Sequence, residues 1–120
     1  MLEITDKNFE EEVEKNDKPV LVDFFTDTCF PCRMLAPVLE EIAIEIPTVK
    51  FSKCNAVSPL CTELQDRFGI VSVPTLVLFL KGKETDRRIG AKTKSELITW
   101  IKDITRRSFK KAHDFNRGMN

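Results

Sequence analysis

Apolar residues fall into short runs separated by turn formers, and two of those runs frame the chain. Val20-Leu21-Val22-Asp23-Phe24-Phe25 is apolar except for one acid and has turn-forming residues on both sides, Asn16-Asp17-Lys18-Pro19 before it. So short and apolar a run predicts a buried strand. Directly after it, Met34, Leu35, Val38, Leu39, Ile42 and Ile46 recur at helical spacing. This helix should stop at Pro47 and be kinked by Pro37, which has no N–H to give to the preceding turn. The second run, Thr75-Leu76-Val77-Leu78-Phe79-Leu80, is apolar throughout and predicts a strand buried on both faces. Lys81-Gly82-Lys83 reads as a hairpin turn into an outer strand over Glu84 to Ile89.

The remaining elements are shorter or weaker. Leu2 to Ile4 could form an edge strand. Asp6 is placed to cap a helix from Lys7 to about Lys15, with Phe9 and Val13 on one face. Val49 to Cys54 reads as a strand, Asn55 to Pro59 as a loop, and Leu60 to Phe68 as a helix ended by Gly69. From Lys94 a last helix carries Leu97, Ile98, Ile101 and Ile104 toward the core. There is no internal repeat and no linker. Strands and helices alternate, then a hairpin closes the pattern. The expected class is α/β, a central mixed sheet with helices on both faces.

Composition narrows the functions. At 120 residues the chain is one domain with room for a real core. The opening Met-Leu-Glu-Ile-Thr-Asp lacks the basic and apolar regions of a signal peptide. No apolar run is long enough to cross a bilayer. Net charge is zero but uneven: residues 1–48 hold 4 of the 19 Lys and Arg and 12 of the 19 Asp and Glu. A basic face with aromatic or motif support, which nucleic-acid binding would need, is not found. Four cysteines without a signal peptide point to the cytoplasm, where lasting structural disulfides are rare.

The chemistry concentrates in Cys29-Phe30-Pro31-Cys32, placed where the buried strand hands over to the helix. A helix start offers free N–H groups and the positive end of the dipole, and both favour a thiolate over a thiol. Two cysteines in so short a ring can pass two electrons by making and breaking one disulfide. The same spacing is also half of a zinc knuckle, so the motif alone leaves both readings open. Cys54 and Cys61 would complete it poorly, because their spacing does not suit a second knuckle.

From about residue 2 to about residue 105 the chain resembles the thioredoxin family. The resemblance is carried by Val22-Asp23-Phe24, Cys29-x-Pro31-Cys32 with Arg33, Pro37, Val73-Pro74-Thr75 and Gly90-Ala91, in the family's order. It implies the thioredoxin fold and a protein-disulfide reductase working through a Cys29/Cys32 couple. Cys29, first in the motif, is expected to attack; Cys32, one turn in, is expected to resolve the mixed disulfide. Asp23 should be desolvated in its strand, which raises a carboxylate pKa. The resemblance makes it the proton acceptor behind Cys32 and matches Lys53 to the lysine facing that acid. It also implies a cis peptide before Pro74, leaving Val73's backbone groups free to pair with an extended substrate segment. Phe30, Pro31, Val73, Pro74 and Gly90 are thus the expected substrate surface.

The implied partners are protein disulfides and a thioredoxin reductase as electron donor, with no bound cofactor, metal, nucleic acid or membrane. A cytoplasmic monomer is expected. The alternatives are a disulfide oxidant or isomerase, a thioredoxin-fold binding module without turnover, and a zinc module. Three positions depart from the family: Thr28 and Phe25 replace tryptophans, and Phe30 replaces a glycine. Cys54 reads as a small buried apolar residue, and Cys61, near a helix start, as the more reactive of the two. Residues 106–120, with Arg106, Arg107, Lys110, Lys111 and Arg117, form a basic extension to the 1–105 domain, partly helical or flexible. His113 stands alone there and is expected to be solvated.

Overall fold

A computed structural model describes the backbone of residues 1–118 and the side chains of residues 1–107. Among the described residues there are five strands: β1 (Leu2–Glu3), β2 (Val20–Phe25), β3 (Lys50–Asn55), β4 (Thr75–Leu80) and β5 (Lys83–Ile89). They make one sheet in the order β1-β3-β2-β4-β5. β3 runs parallel to both β1 and β2, while β4 runs antiparallel to β2 and β5. Three α-helices pack with the sheet: α1 (Phe30–Glu45), α2 (Thr62–Arg67) and α3 (Lys94–Gly118).

Strand alternation sends neighbouring side chains to opposite faces. Val20, Val22 and Phe24 of β2 join Val77 and Phe79 of β4, Cys54 of β3, and Phe9, Val13 and Leu64 in one core cluster. Leu21 joins Leu76 and Leu78 in the other, against Leu35, Leu39 and Ile42 of α1 and Leu97, Trp100 and Ile101 of α3. Both central strands are therefore covered on both sides, which is why they lack a polar alternation. Asp23 shares the parity of Leu21 and so faces the α1 side. The outermost strand, Lys83-Glu84-Thr85-Asp86-Arg87-Arg88-Ile89, carries the charged residues that keep a sheet edge from pairing with other chains. Its register shifts at Thr85: Leu78 pairs with Asp86 and Phe79 with Glu84.

The hairpin between β4 and β5 turns on Lys81 (φ 51°) and Gly82 (φ 80°), the two successive left-handed residues of a type I′ turn. Gly82 is held twice over, because a Cβ there would lie 2.7 Å from the carbonyl oxygen of Glu14.

Two expected helices differ. The stretch from Lys7 to Lys15 is not an α-helix capped by Asp6 but a turn followed by a π-helical segment over Glu10–Glu14. Phe9 and Val13 are nevertheless buried together. Asp6 caps a different helix: its carboxylate oxygens accept the N–H groups of Leu64 (3.1 Å) and Glu63 (3.2 Å) in the first turn of α2. The reason is topological. β1 lies beside β3, so the chain leaving β1 passes the start of α2, whose cap position is held by Cys61 without a side-chain cap of its own. Leu60 to Phe68 is divided into a 3-10 turn (Pro59–Cys61) and the short α2. α3 passes through residues 105 and 106 without a break. The expectations for the side chains of Lys110, Lys111, His113 and Arg117 lie outside the described residues.

Candidate active site

Residues Thr26 to Cys29 carry the chain from the end of β2 into α1. Cys29 is the N-cap of α1, with extended backbone (φ −84°, ψ 109°), and its Sγ accepts the Cys32 N–H at 3.2 Å. The first cysteine sulfur thus takes the place that a serine or aspartate oxygen fills at other helix starts. Cys29 and Cys32 are joined in a disulfide with Cα atoms 5.2 Å apart. The two are unequal: Cys29 is half-buried, whereas Cys32 is 3% exposed. Pro31 sits in the first turn, where a missing N–H costs nothing. Phe30 stands out at 67% exposure.

Behind the pair lies Asp23, 2% exposed, with Oδ1 buried and unpartnered in the protein. Its carboxyl and Cys32 line one cavity of about 230 Å³ that Lys53 and Arg33 also border. Burial pushes the Asp23 carboxyl up to about 7, and the positive charge of Lys53 opposes part of that rise. Parallel pairing of β2 with β3 sets Asp23 level with Lys53. The ammonium of Lys53 itself rests over the Phe25 ring, 5.6 Å from its centroid. An acid with a pKa near neutrality can hold or release a proton at little cost there.

The third component is supplied by β4. Thr75 pairs with Phe24 and with Ile89, so the residues just before β4 and just after β5 lie at the same end of the sheet as the disulfide. The Val73–Pro74 peptide is cis, and the Pro74 carbonyl accepts the Gly90 N–H at 2.9 Å. Gly90 has φ +88°, the left-handed region open to glycine. Val73 borders a groove of about 180 Å³ together with Thr26, Ala56 and Val57. The sheet therefore gathers Asp23, Cys29, Cys32, Lys53, Val73, Pro74 and Gly90 at one end.

The family model described as Thioredoxin matches residues 1–103. The chain belongs to the thioredoxin family. It is 46% identical over 99 residues to the thioredoxin of Rickettsia bellii (strain RML369-C), covering 82% of this chain and 92% of that one. Against the thioredoxin of Mycobacterium tuberculosis (strain ATCC 25618 / H37Rv) identity is 42% over 105 residues, 86% of this chain and 88% of that one. The Rickettsia prowazekii (strain Madrid E) thioredoxin is 40% identical over 99 residues, 82% and 92% of the two chains. Like its family, the protein is a thiol–disulfide oxidoreductase and reduces protein disulfides through the Cys29–Cys32 couple. Among the described residues no helix is long and apolar enough to cross a membrane.

Sequence reasoning did not bring out Thr26 and Ala56, whose part in the groove depends on how three loops converge. Nor did it bring Cys54 and Cys61 together. Both are buried in one core cluster, and the Cys61 thiol donates to the carbonyl of Ile4 at 3.4 Å. Six residues separate them, most of them loop and turn, and periodicity carries no signal for such an arrangement.

Proposed function

We propose that this thioredoxin-family protein runs as a reductant in which Cys29 attacks, Cys32 resolves and Asp23 takes the proton. The Cys29 thiolate attacks one sulfur of a protein disulfide; that disulfide breaks, a Cys29–substrate disulfide forms, and the other substrate sulfur leaves as a thiol. Cys32 then attacks the Cys29 sulfur and releases the second substrate thiol. Two electrons have passed to the substrate, and the protein is left as the Cys29–Cys32 disulfide. A reductase of the thioredoxin reductase class returns it to the dithiol.

The observation that supports this reading best is the inequality of the pair. Cys29 is reachable at the cap of α1, while Cys32 is covered and shares a cavity with a carboxyl titrating near 7. The cavity has Asp23, Arg33 and Lys53 beside Cys32 and is roomy enough to admit a water between acid and thiol, so Asp23 can accept the Cys32 proton as resolution begins. Lys53 tunes that acid rather than reacting. An extended substrate segment would lie along Val73 and Pro74 with Gly90 behind them, its backbone bonding to Val73 as an added strand. Exposed Phe30 and Pro31 would meet its apolar side chains. Free operation of the couple requires a reducing compartment, which the cytoplasm provides.

The order of attack is tested by trapping. Cys32→Ser should accumulate a mixed disulfide with substrate through Cys29, and Cys29→Ser should accumulate none. Equal trapping by the two variants would overturn the assignment. Insulin reduction by the intact protein with dithiothreitol as donor separates turnover from a binding module, and a measured reduction potential separates a reductant from an oxidant.

A further inference from the structure

We infer that Cys54 and Cys61 form a second thiol–disulfide couple, one that hydroperoxide closes independently of Cys29 and Cys32. The chain between them folds back tightly. The Asn55 side chain accepts the Val57 N–H (3.1 Å), the Asn55 carbonyl accepts the Ser58 N–H (3.1 Å), and the Ser58 carbonyl accepts the Cys61 N–H (3.0 Å). Ile4 clamps both ends of this return. Its N–H bonds to the carbonyl of Lys53 at 2.7 Å, next to Cys54, and its carbonyl accepts the Cys61 thiol at 3.4 Å. The two cysteines, 0% and 2% exposed, are in one apolar cluster, and Ile4, which follows the β1 residues paired with Ser52 and Lys53, is a neighbour of both. A disulfide needs its sulfurs about 2 Å apart, so closing this one calls for the Cys61 turn to bring its sulfur to Cys54 within the cluster that already holds both.

The sheet separates this couple from the first. Lys53 faces the Asp23 cavity, and Cys54, the next residue in the strand, points to the opposite face. Exchange with the Cys29–Cys32 disulfide through the sheet is blocked, so the oxidant must come from solvent.

The two thiols also divide the chemistry. Cys54 is fixed in β3, which is bonded on both sides, by β1 and by β2. Burial and the neighbouring Cys61 push the Cys54 thiol up, which makes it a poor first nucleophile. Cys61 closes a three-residue turn with exposed Leu60 and Thr62 on either side. Opening that turn requires little unfolding and admits a small oxidant. Cys61 as thiolate then attacks a hydrogen peroxide oxygen. The O–O bond breaks, Cys61 becomes a sulfenic acid, and the departing hydroxide takes up the proton Cys61 had released and leaves as water. The Cys54 sulfur attacks the Cys61 sulfur, an S–S bond forms, the S–O bond breaks, and the hydroxyl leaves as water with the Cys54 proton. Overall two thiols and one hydrogen peroxide give one disulfide and two waters. The product staples the end of β3 to the start of α2, across the loop that carries Ala56 and Val57.

The test uses Cys29→Ser/Cys32→Ser, in which Cys54 and Cys61 are the remaining thiols of the four cysteines. The folded variant is treated with excess hydrogen peroxide, quenched, denatured, alkylated and mapped by mass spectrometry. The expected result is joint loss of both thiols, a mass lower by two hydrogen atoms, a Cys54–Cys61 cross-linked peptide, and full recovery with dithiothreitol. Adding Cys61→Ser should leave Cys54 alkylatable after the same treatment. Survival of both thiols, conversion to sulfinic acids without a cross-link, or a disulfide joining two molecules would each overturn the inference. The same map on the reduced wild-type protein should show the Cys54–Cys61 peptide beside the Cys29–Cys32 one.

Discussion

At Asp23, one carboxyl sets both a rate and a stability. In the disulfide form its folded pKa is about 7, against 3.8 for an ordinary aspartate. The folded state therefore holds a proton that the unfolded chain has already released, and stability falls as pH rises from about 4 to about 7. At 1.36 kcal/mol per pKa unit the loss is on the order of 4 kcal/mol once Asp23 is ionised. Asp23→Asn should remove that loss. The variant should melt higher than wild type at pH 8, with the gain shrinking as pH falls and vanishing near pH 4. The same variant should reduce insulin at least about tenfold more slowly near neutral pH, within the range that positioned acid–base groups contribute. Unchanged rates across neutral pH would leave Asp23 a structural acid only. The desolvation of Asp23 was legible from its apolar neighbours in the strand. Its open cavity and the resting of the Lys53 ammonium over the Phe25 ring were not, because they depend on how side chains from neighbouring strands pack.

Among the elements, β2, β4 and α1 were legible because short apolar runs bounded by turn formers read as buried strands and a 3.6-residue period reads as a helix. The segment after β1 was not. Asp6 followed by Phe9 and Val13 matches a capped amphipathic helix, yet the carboxylate goes to α2 and the segment settles as a π-helical turn. A cap signal names a donor pair without saying whose. Asp6→Ala should cost about 1 kcal/mol, seen as a lower urea midpoint, and Asp6→Asn should keep most of it. The π-helical turn should be indifferent to both. Gly82→Ala tests another junction, combining the positive φ with an approach to the Glu14 carbonyl. It should destabilise by roughly 1–3 kcal/mol, whereas an alanine at Gly90, where nothing lies within 4 Å, meets only the backbone penalty.

Across the whole molecule, the single tryptophan reports on folding and not on redox state. Trp100 Nε1 donates to Asp86 at 2.9 Å, and the Arg88 guanidinium lies 5.1 Å from the ring. Asp86 is level with Leu78, and Leu78 with Leu21 near the start of β2. β5 is two strands from β2, about 10 Å away, and Leu21 lies about 13 Å along the strand from Phe25. The indole is thus remote from the disulfide in both directions. With Cys54 and Cys61 replaced by serine, reduction should leave emission almost unchanged and urea should change it strongly. A large rise on reduction alone would contradict this placement of α3. The cap from Asp6 has a different reach, because it joins residues 57 and 58 positions apart. During synthesis the first strand has no partner until the chain has been translated through Lys53, and Asp6 lacks its donors until Leu64. β2 then still waits for β4. A nascent chain arrested before Leu64 should consequently stay open to protease along its first 50 or so residues, and the amino terminus, first to leave the ribosome, is among the last parts to find its place.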